Sequence, residues 1–238
     1  MSTRFSKKET DPWRISTQEA NHMLQEQDRI EIKKRLEEMK GPVRLAFFTQ
    51  QLAGTCQYCS ETEQLLKQVS ELSDKLTLDI YNFVNDKEEV DKFGIDKIPA
   101  TVIMGDEDMG IRFYGIPSGY EFAAFLEIVL KVSAGESGLT EVSVKKLEKI
   151  KDPAHIQVFT TPTCPYCPGA AMVAHMLAMS NPNIKADVVE ISEFPAMAQK
   201  YSVMGVPKTV VNENHSFEGA LPEDQFVDEV AKAAGSKD

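Results

Sequence analysis

Two Cys-x-x-Cys motifs stand 108 residues apart in this chain, and each is followed at the same distance by a proline. The first reads Thr55-Cys56-Gln57-Tyr58-Cys59, the second Thr163-Cys164-Pro165-Tyr166-Cys167. Pro99, in Ile98-Pro99, lies 43 residues after Cys56; Pro207, in Val206-Pro207, lies 43 residues after Cys164. The two motifs hold all four cysteines of the 238 residues. A dithiol and a distant proline repeated in register restrict the chain to two copies of one redox fold.

The chemistry asks for this spacing. Two cysteines separated by two residues close a small disulfide at the start of a helix. The first sulfur then faces unpaired N–H groups and the positive end of the helix dipole. That environment favours the thiolate, the species that attacks disulfides, while the second thiol resolves the mixed disulfide. An apolar run precedes each motif, Val43–Phe48 and Ile156–Phe159. Helical patterns follow, with Leu65, Leu66, Val69 and Leu72 after Cys59 and Met172, Val173, Met176 and Leu177 after Cys167. Pro165 suits a first helical position, where no N–H is needed. Read along the chain, both halves give the order β-α-β-α-β-β-α. In the first half the strands are 43–48, 76–83, 100–104 and 110–114, and the helices 57–72, 86–93 and 119–132. In the second the strands are 156–160, 185–191, 208–212 and 216–218, and the helices 167–179, 194–201 and 223–234. Charge-rich helices are expected at 28–40 and 141–150, and 133–140 reads as a linker. Residues 1–24 read as an N-terminal extension carrying Trp13 and a capping-box pattern, Ser16 to Glu19. The units are then 25–136 and 137–238.

The pattern resembles the glutaredoxin active site at TCPYC, and the strand–CxxC–helix order with a later Ile-Pro or Val-Pro is thioredoxin-like. The tandem arrangement resembles the protein disulfide oxidoreductase family of archaea and bacteria, glutaredoxin-like proteins with two fused thioredoxin-fold units. The stretches that carry this are Cys56–Cys59, Gly115–Leu126, Thr161–Pro168 and Tyr201–Lys208. The resemblance implies an α/β fold of two tandem thioredoxin-fold units, each a central mixed β-sheet flanked by helices. It implies a thiol–disulfide oxidoreductase acting on protein disulfides, with Cys56 and Cys164 as nucleophiles and Cys59 and Cys167 as resolving thiols. Ile98-Pro99 and Val206-Pro207 would lie beside the dithiols and offer backbone groups to an extended substrate chain. The matched register of the two prolines favours cis peptides there. No bound cofactor is implied; electrons would come from NADPH through a thioredoxin-reductase-like flavoprotein. Two departures matter. Thr55 and Thr163 stand where thioredoxins carry Trp, and Phe217–Pro222 lacks the Gly-Gly-x-Asp-like turn of glutathione-using glutaredoxins. Glutathione is therefore not the expected reductant.

Composition bounds partners and compartment. Hydrophobic residues make up 42%, enough for two packed cores. A net charge of −11 argues against nucleic acid or an anionic membrane surface. No apolar run approaches a transmembrane length, and Met1–Asp28 lacks the apolar core of a signal peptide. A cytoplasmic protein is expected, and there CxxC pairs are catalytic or metal-binding rather than structural. A shared zinc site or iron–sulfur cluster would need all four thiolates to converge, which motifs each tied to their own strand and proline disfavour, so no metal is expected.

Other residues have plainer readings. His175 reads as a satisfied or exposed helical histidine. Glu190, 17 residues before Pro207 at a strand end, is a candidate proton shuttle, with Asn82 in the matching place of the first half. With Pro165 and Glu190, the second site is expected to carry more turnover on small disulfides. Two other readings remain. One is an electron relay from a flavoprotein reductase to a peroxidase such as a peroxiredoxin. The other is a redox-inert binding or chaperone module, which retention of all four cysteines disfavours.

Overall fold

The computed structural model describes residues 23–50 and 56–235. Trp13, the Ser16–Glu19 pattern and residues 51–55 lie outside the described residues. The first half runs α1 (Glu26–Leu36), β1 (Val43–Thr49), α2 (Cys59–Ser70), β2 (Leu76–Asn82), α3 (Lys87–Phe93), β3 (Ala100–Met104), β4 (Ile111–Tyr114) and α4 (Tyr120–Ala134). The second runs α5 (Glu141–Leu147), β5 (Ala154–Thr160), α6 (Cys167–Ser180), β6 (Ile184–Glu190), a 3-10 turn at Ile191–Glu193, α7 (Pro195–Lys200), β7 (Lys208–Val211), β8 (His215–Glu218) and α8 (Glu223–Ala233). The βαβαββα order expected for each half is present.

The strands form one eight-stranded sheet in the order β2-β1-β3-β4-β6-β5-β7-β8. In each half the first two strands are parallel and the hairpin is antiparallel. The halves join through a parallel pairing of β4 with β6, in which Phe113 faces Val188 and Tyr114 faces Val189. The sequence leads to two separate sheets; the structure fuses them edge to edge. The fusion covers one edge of each half and leaves β2 and β8 as the outer strands, so fewer backbone groups are left unpaired.

Alternation on the strands divides the core. Leu45, Phe47, Ile111, Phe113, Ile156 and Val158 point to one face and pack against α1, α2, α4, α5, α6 and α8. Ala46, Phe48, Val102, Tyr114, Phe159 and Val189 point to the other, under α3 and α7. Cover on both faces explains why β1 and β5 are nearly continuous apolar runs. Both cores run across the β4–β6 seam, and α4 packs on α6 over it.

Two expected helices are shorter. The segment read as 28–40 is helical over Glu26–Leu36, although Met39 beyond it is buried. The segment read as 141–150 ends its helix at Leu147 and continues to Ile150 in a tighter turn, with the Ile150 N–H donating to the Leu147 carbonyl at 3.0 Å. The expected 133–140 linker starts later, since α4 continues to Ala134 and stops at Gly135, whose φ of 69° is a left-handed cap. Leu24, at the edge of the expected extension, is buried in the first core, and its N–H donates to Gln68 Oε1 at 3.1 Å. No described helix is long and apolar enough to cross a membrane.

Candidate active site

Each dithiol sits where an apolar central strand hands over to a helix. The two strand–helix pairs, β1–α2 and β5–α6, occupy the same place in their halves. Cys56 and Cys59 form one disulfide and Cys164 and Cys167 the other, each with Cα atoms 5.5 Å apart. Each helix begins at the second cysteine. For α6 that is the expected start; α2 begins two residues later than the expected 57, at Cys59. The disulfide turn consumes residues 164–166, so Pro165 lies ahead of α6 and Pro168 takes its second position. Pro165 therefore does not organise the first helical turn and gives the second site no advantage there.

The expected placement of the first sulfur is visible in the second motif. The Cys167 N–H, the first of α6, donates to Cys164 Sγ at 3.1 Å. That N–H is one of the orphan donors of a helix start and would stabilise a thiolate in the same position. Cys59, Cys164 and Cys167 are buried, at 3%, 8% and 0% exposure, and Cys56 is half-buried. Within each pair the first cysteine is thus the more exposed residue, slightly so in the second pair.

Each half also carries a proline loop, and the second one reaches its dithiol. The Ile98–Pro99 and Val206–Pro207 peptides are both cis. The Val206 carbonyl oxygen stands 3.6 Å from Cys164 Sγ, which brings Cys164, Cys167, Val206 and Pro207 together. Both loops are anchored alike: the Gly115 N–H donates to the Pro99 carbonyl at 2.9 Å, and the Gly219 N–H to the Pro207 carbonyl at 2.8 Å. Pro99 and Pro207 are buried, and Ile98 and Val206 pack at the edge of the second core.

Glu190 ends β6 beside Thr160 of β5. Its carboxylate accepts from the Ser192 hydroxyl at 2.6 and 2.7 Å and from the N–H groups of Ser192 and Glu193 at 3.2 Å. Asn82 does the same work in the first half, accepting from the Val84 and Asn85 N–H groups at 3.0 Å. The matched pair therefore shares a turn-capping role. His175 is buried, with Nε2 at 3.1 Å from the Arg112 carbonyl. Burial pushes it down to about 4, against that hydrogen bond and nearby Asp187, so it is a neutral donor at ordinary pH.

Two carboxyl groups at the seam have no counterpart in the sequence reading. Glu121, at the start of α4, is buried, and neither oxygen makes a well-formed hydrogen bond among the described residues. Burial pushes its carboxyl up to about 7; the neighbouring Thr160 hydroxyl opposes this, and Glu190 and Glu193 add to it. Glu193 is also held at about 7, chiefly by burial, against the Ile116 N–H that it accepts at 2.7 Å and with repulsion from Glu190 and Glu61. The chain does carry a signal for Glu121: it falls on the helical stripe of Phe125, Ile128, Val129 and Val132, where a carboxylate is out of place. Gly115 makes room for this cluster. A Cβ there would lie 2.7 Å from Glu190 Cβ and 2.8 Å from Glu193 Oε1, and its φ is +100°. Among the described residues no three His, Cys, Asp or Glu side chains group as a metal site.

Known proteins share this arrangement. A family model described as a thioredoxin domain matches twice, over residues 51–127 and 154–232. The crystal structure of a protein disulfide oxidoreductase from Aeropyrum pernix superimposes with a TM-score of 0.83 at 34% identity, covering 89% of this chain and 94% of that one. Among curated proteins, an alkyl hydroperoxide reductase component of Xanthomonas campestris is 23% identical over 85% of this chain, and NADH dehydrogenase of Bacillus subtilis 27% identical over 54%. The chain spans 36% of the length of the former and 26% of the latter.

Proposed function

The chain belongs to the thioredoxin-domain family, and from that premise we propose that it is a thiol–disulfide oxidoreductase with two working dithiols and protein disulfides as substrates. The observation that carries the reading is the repeated disulfide whose second cysteine is buried at the head of a helix, with a proline loop against Cys164 at the second site.

The cycle balances as a two-electron exchange. A thiolate of Cys56 or Cys164 attacks one sulfur of a substrate disulfide. The substrate S–S bond breaks and its other sulfur leaves as a thiolate. Cys59 or Cys167 then loses its proton and attacks the mixed disulfide, closing the enzyme's own S–S bond and releasing the second substrate thiol. Two electrons pass to the substrate; one product thiol takes the resolving cysteine's proton and the other a proton from solvent, and a reductant restores the dithiol. At the second site Glu190 is the expected acceptor of the resolving thiol's proton. Glu121 is a second candidate, its carboxyl pushed up to about 7 chiefly by burial, while Ser192 and the turn occupy Glu190. Thr160, which neighbours Glu121, ends the strand four residues before Cys164.

We place this chemistry in the cytoplasm, fed by NADPH through a thioredoxin-reductase-like flavoprotein. A second reading is favoured by the relatives named as alkyl hydroperoxide reductase components. On it, the two dithiols relay electrons from such a flavoprotein to a peroxiredoxin-like peroxidase. Cys167→Ser in a chain lacking Cys56 and Cys59 tests the exchange step. Incubation with a disulfide-bonded protein should leave a mixed disulfide on Cys164, seen as a mass increase that dithiothreitol reverses. No adduct under these conditions would refute the exchange reading.

A further inference from the structure

The two sites share a frame but present different rims. At the second site three large side chains stand in solvent: Met204 is 92% exposed, Tyr166 70% and Tyr120 56%. They come from three segments linked to the Cys164 motif by sequence or by a backbone contact. Tyr166 lies inside the motif. Met204 is two residues ahead of Val206, whose carbonyl oxygen is 3.6 Å from Cys164 Sγ. Tyr120 belongs to the first half and opens α4, and its N–H donates at 3.0 Å to the carbonyl of Pro162, two residues before Cys164. Gly119 permits that contact, since a Cβ there would fall 2.3 Å from the Pro162 oxygen. The rim carries no charge at 165, 166, 204, 205 or 206, and Gly205 has open space around it.

At the first site the same register carries charge. Met204-Gly205-Val206 is replaced by Asp96-Lys97-Ile98. Asp96 is 73% exposed on its side chain and pairs with Lys97 at 2.5 Å. Lys97 is itself pinned, with Nζ 3.7 Å from the centre of the Tyr114 ring. Tyr58, which matches Tyr166, is half-buried and packs onto the first core instead of standing out. An exposed, uncharged group of Met and two Tyr beside a reactive sulfur is the composition of a recognition surface, because these side chains bury large area at modest entropic cost.

We propose, on the basis of the exchange reading above, that the second site selects extended apolar segments of disulfide-bearing polypeptides, and that Asp96-Lys97 excludes such segments from the first site. The segment adds as a strand along Val206, whose N–H has no partner among the described residues. Its side chains rest on Met204, Tyr166 and Tyr120. At the first site an apolar segment would have to strip water from the Asp96 carboxylate without replacing it, which is unfavourable.

Single-turnover thiol exchange by pre-reduced protein tests this, with one site at a time left intact by Cys→Ser changes in the other motif. The probes are a disulfide-bonded peptide flanked by Leu and Val, the same peptide flanked by Ser and Glu, and hydroxyethyl disulfide. The second site should prefer the Leu/Val peptide by about tenfold, and the first should show no such preference. Met204→Asp, and independently Met204→Ser, should shrink that preference to about twofold or less, and Asp96→Met should raise it at the first site. Equal preference at the two sites, or a preference that survives Met204→Asp, overturns the proposal while leaving the exchange reading intact. Failure of both sites to react with any of the three probes overturns both.

Discussion

Arg112 and Asp187 face each other across the pairing of β4 with β6, both buried, at the seam that makes one sheet of two halves. Arg112 is tied on its own strand's approach to Asp108 at 2.5 and 2.6 Å and to the Phe93 carbonyl at 3.0 Å. Asp187 is tied to His155 at 2.6 Å, with Lys185 at 3.7 Å. Opposite charges thus meet where a like pair would prevent the strands from closing.

Asp187→Ala should therefore cost about 1–3 kcal/mol in urea unfolding at pH 7, because it removes a buried carboxylate that His155 and Lys185 are paired with, while Arg112 keeps Asp108. Burial alone would raise the Asp187 carboxyl, but His155 and the lysines hold it below the usual carboxylate range. Its contribution is present above that range and is lost as pH falls through its depressed value. The cost of the substitution should accordingly shrink in strong acid. A penalty under about 1 kcal/mol at pH 7 would show that the seam does not depend on this network.

Glu121→Gln should have the opposite pH dependence. In the folded chain the Glu121 carboxyl is held at about 7, so it keeps a proton that the unfolded chain has already released. Stability from this group is present below the ordinary carboxylate value and is lost as pH rises through 7. Gln preserves the neutral form. Relative to the unsubstituted chain, the variant should gain about 1–3 kcal/mol between pH 4.5 and 7.5. A difference that does not change over this range would mean that Glu121 titrates normally.

Alkylation of the fully reduced chain should separate the cysteines by depth. Cys59 and Cys167 are buried as the first residues of α2 and α6, and the first cysteine of each pair is the more exposed residue. Iodoacetamide followed by peptide mass analysis should label Cys56 and Cys164 about tenfold faster than their partners. Earlier labelling of Cys59 or Cys167 would reverse the assignment of nucleophile and resolving thiol.

Much of this fold is readable in the sequence, for local reasons. The runs at 43–48 and 156–160 are strands because they are apolar on both faces, and the CxxC motifs and their prolines mark the same turns in each half. What is not readable is mostly non-local. Nothing within Ile111–Tyr114 or Ala186–Val189 says that they pair, since a parallel seam leaves no turn or spacing in the chain; only burial on both faces hints at it. Pro165 reads as a helix opener because proline fits that place in general, but it lies in the disulfide turn ahead of the helix, which starts at Cys167 as expected. Glu121 is legible in principle, as a carboxylate on an apolar helical stripe. Met204 and Tyr120 are not, because their exposure beside Cys164 depends on how α4 and the proline loop approach the motif.

If Cys56 and Cys164 are the nucleophiles toward protein disulfides, insulin reduction by dithiothreitol measures their work directly. The unsubstituted chain should accelerate precipitation of the insulin B chain well above the uncatalysed rate. Cys56→Ser/Cys164→Ser, with its helical circular dichroism retained, should fall to the background rate. Turnover by the double variant equal to that of the unsubstituted chain, or no acceleration by the unsubstituted chain itself, would contradict the assignment.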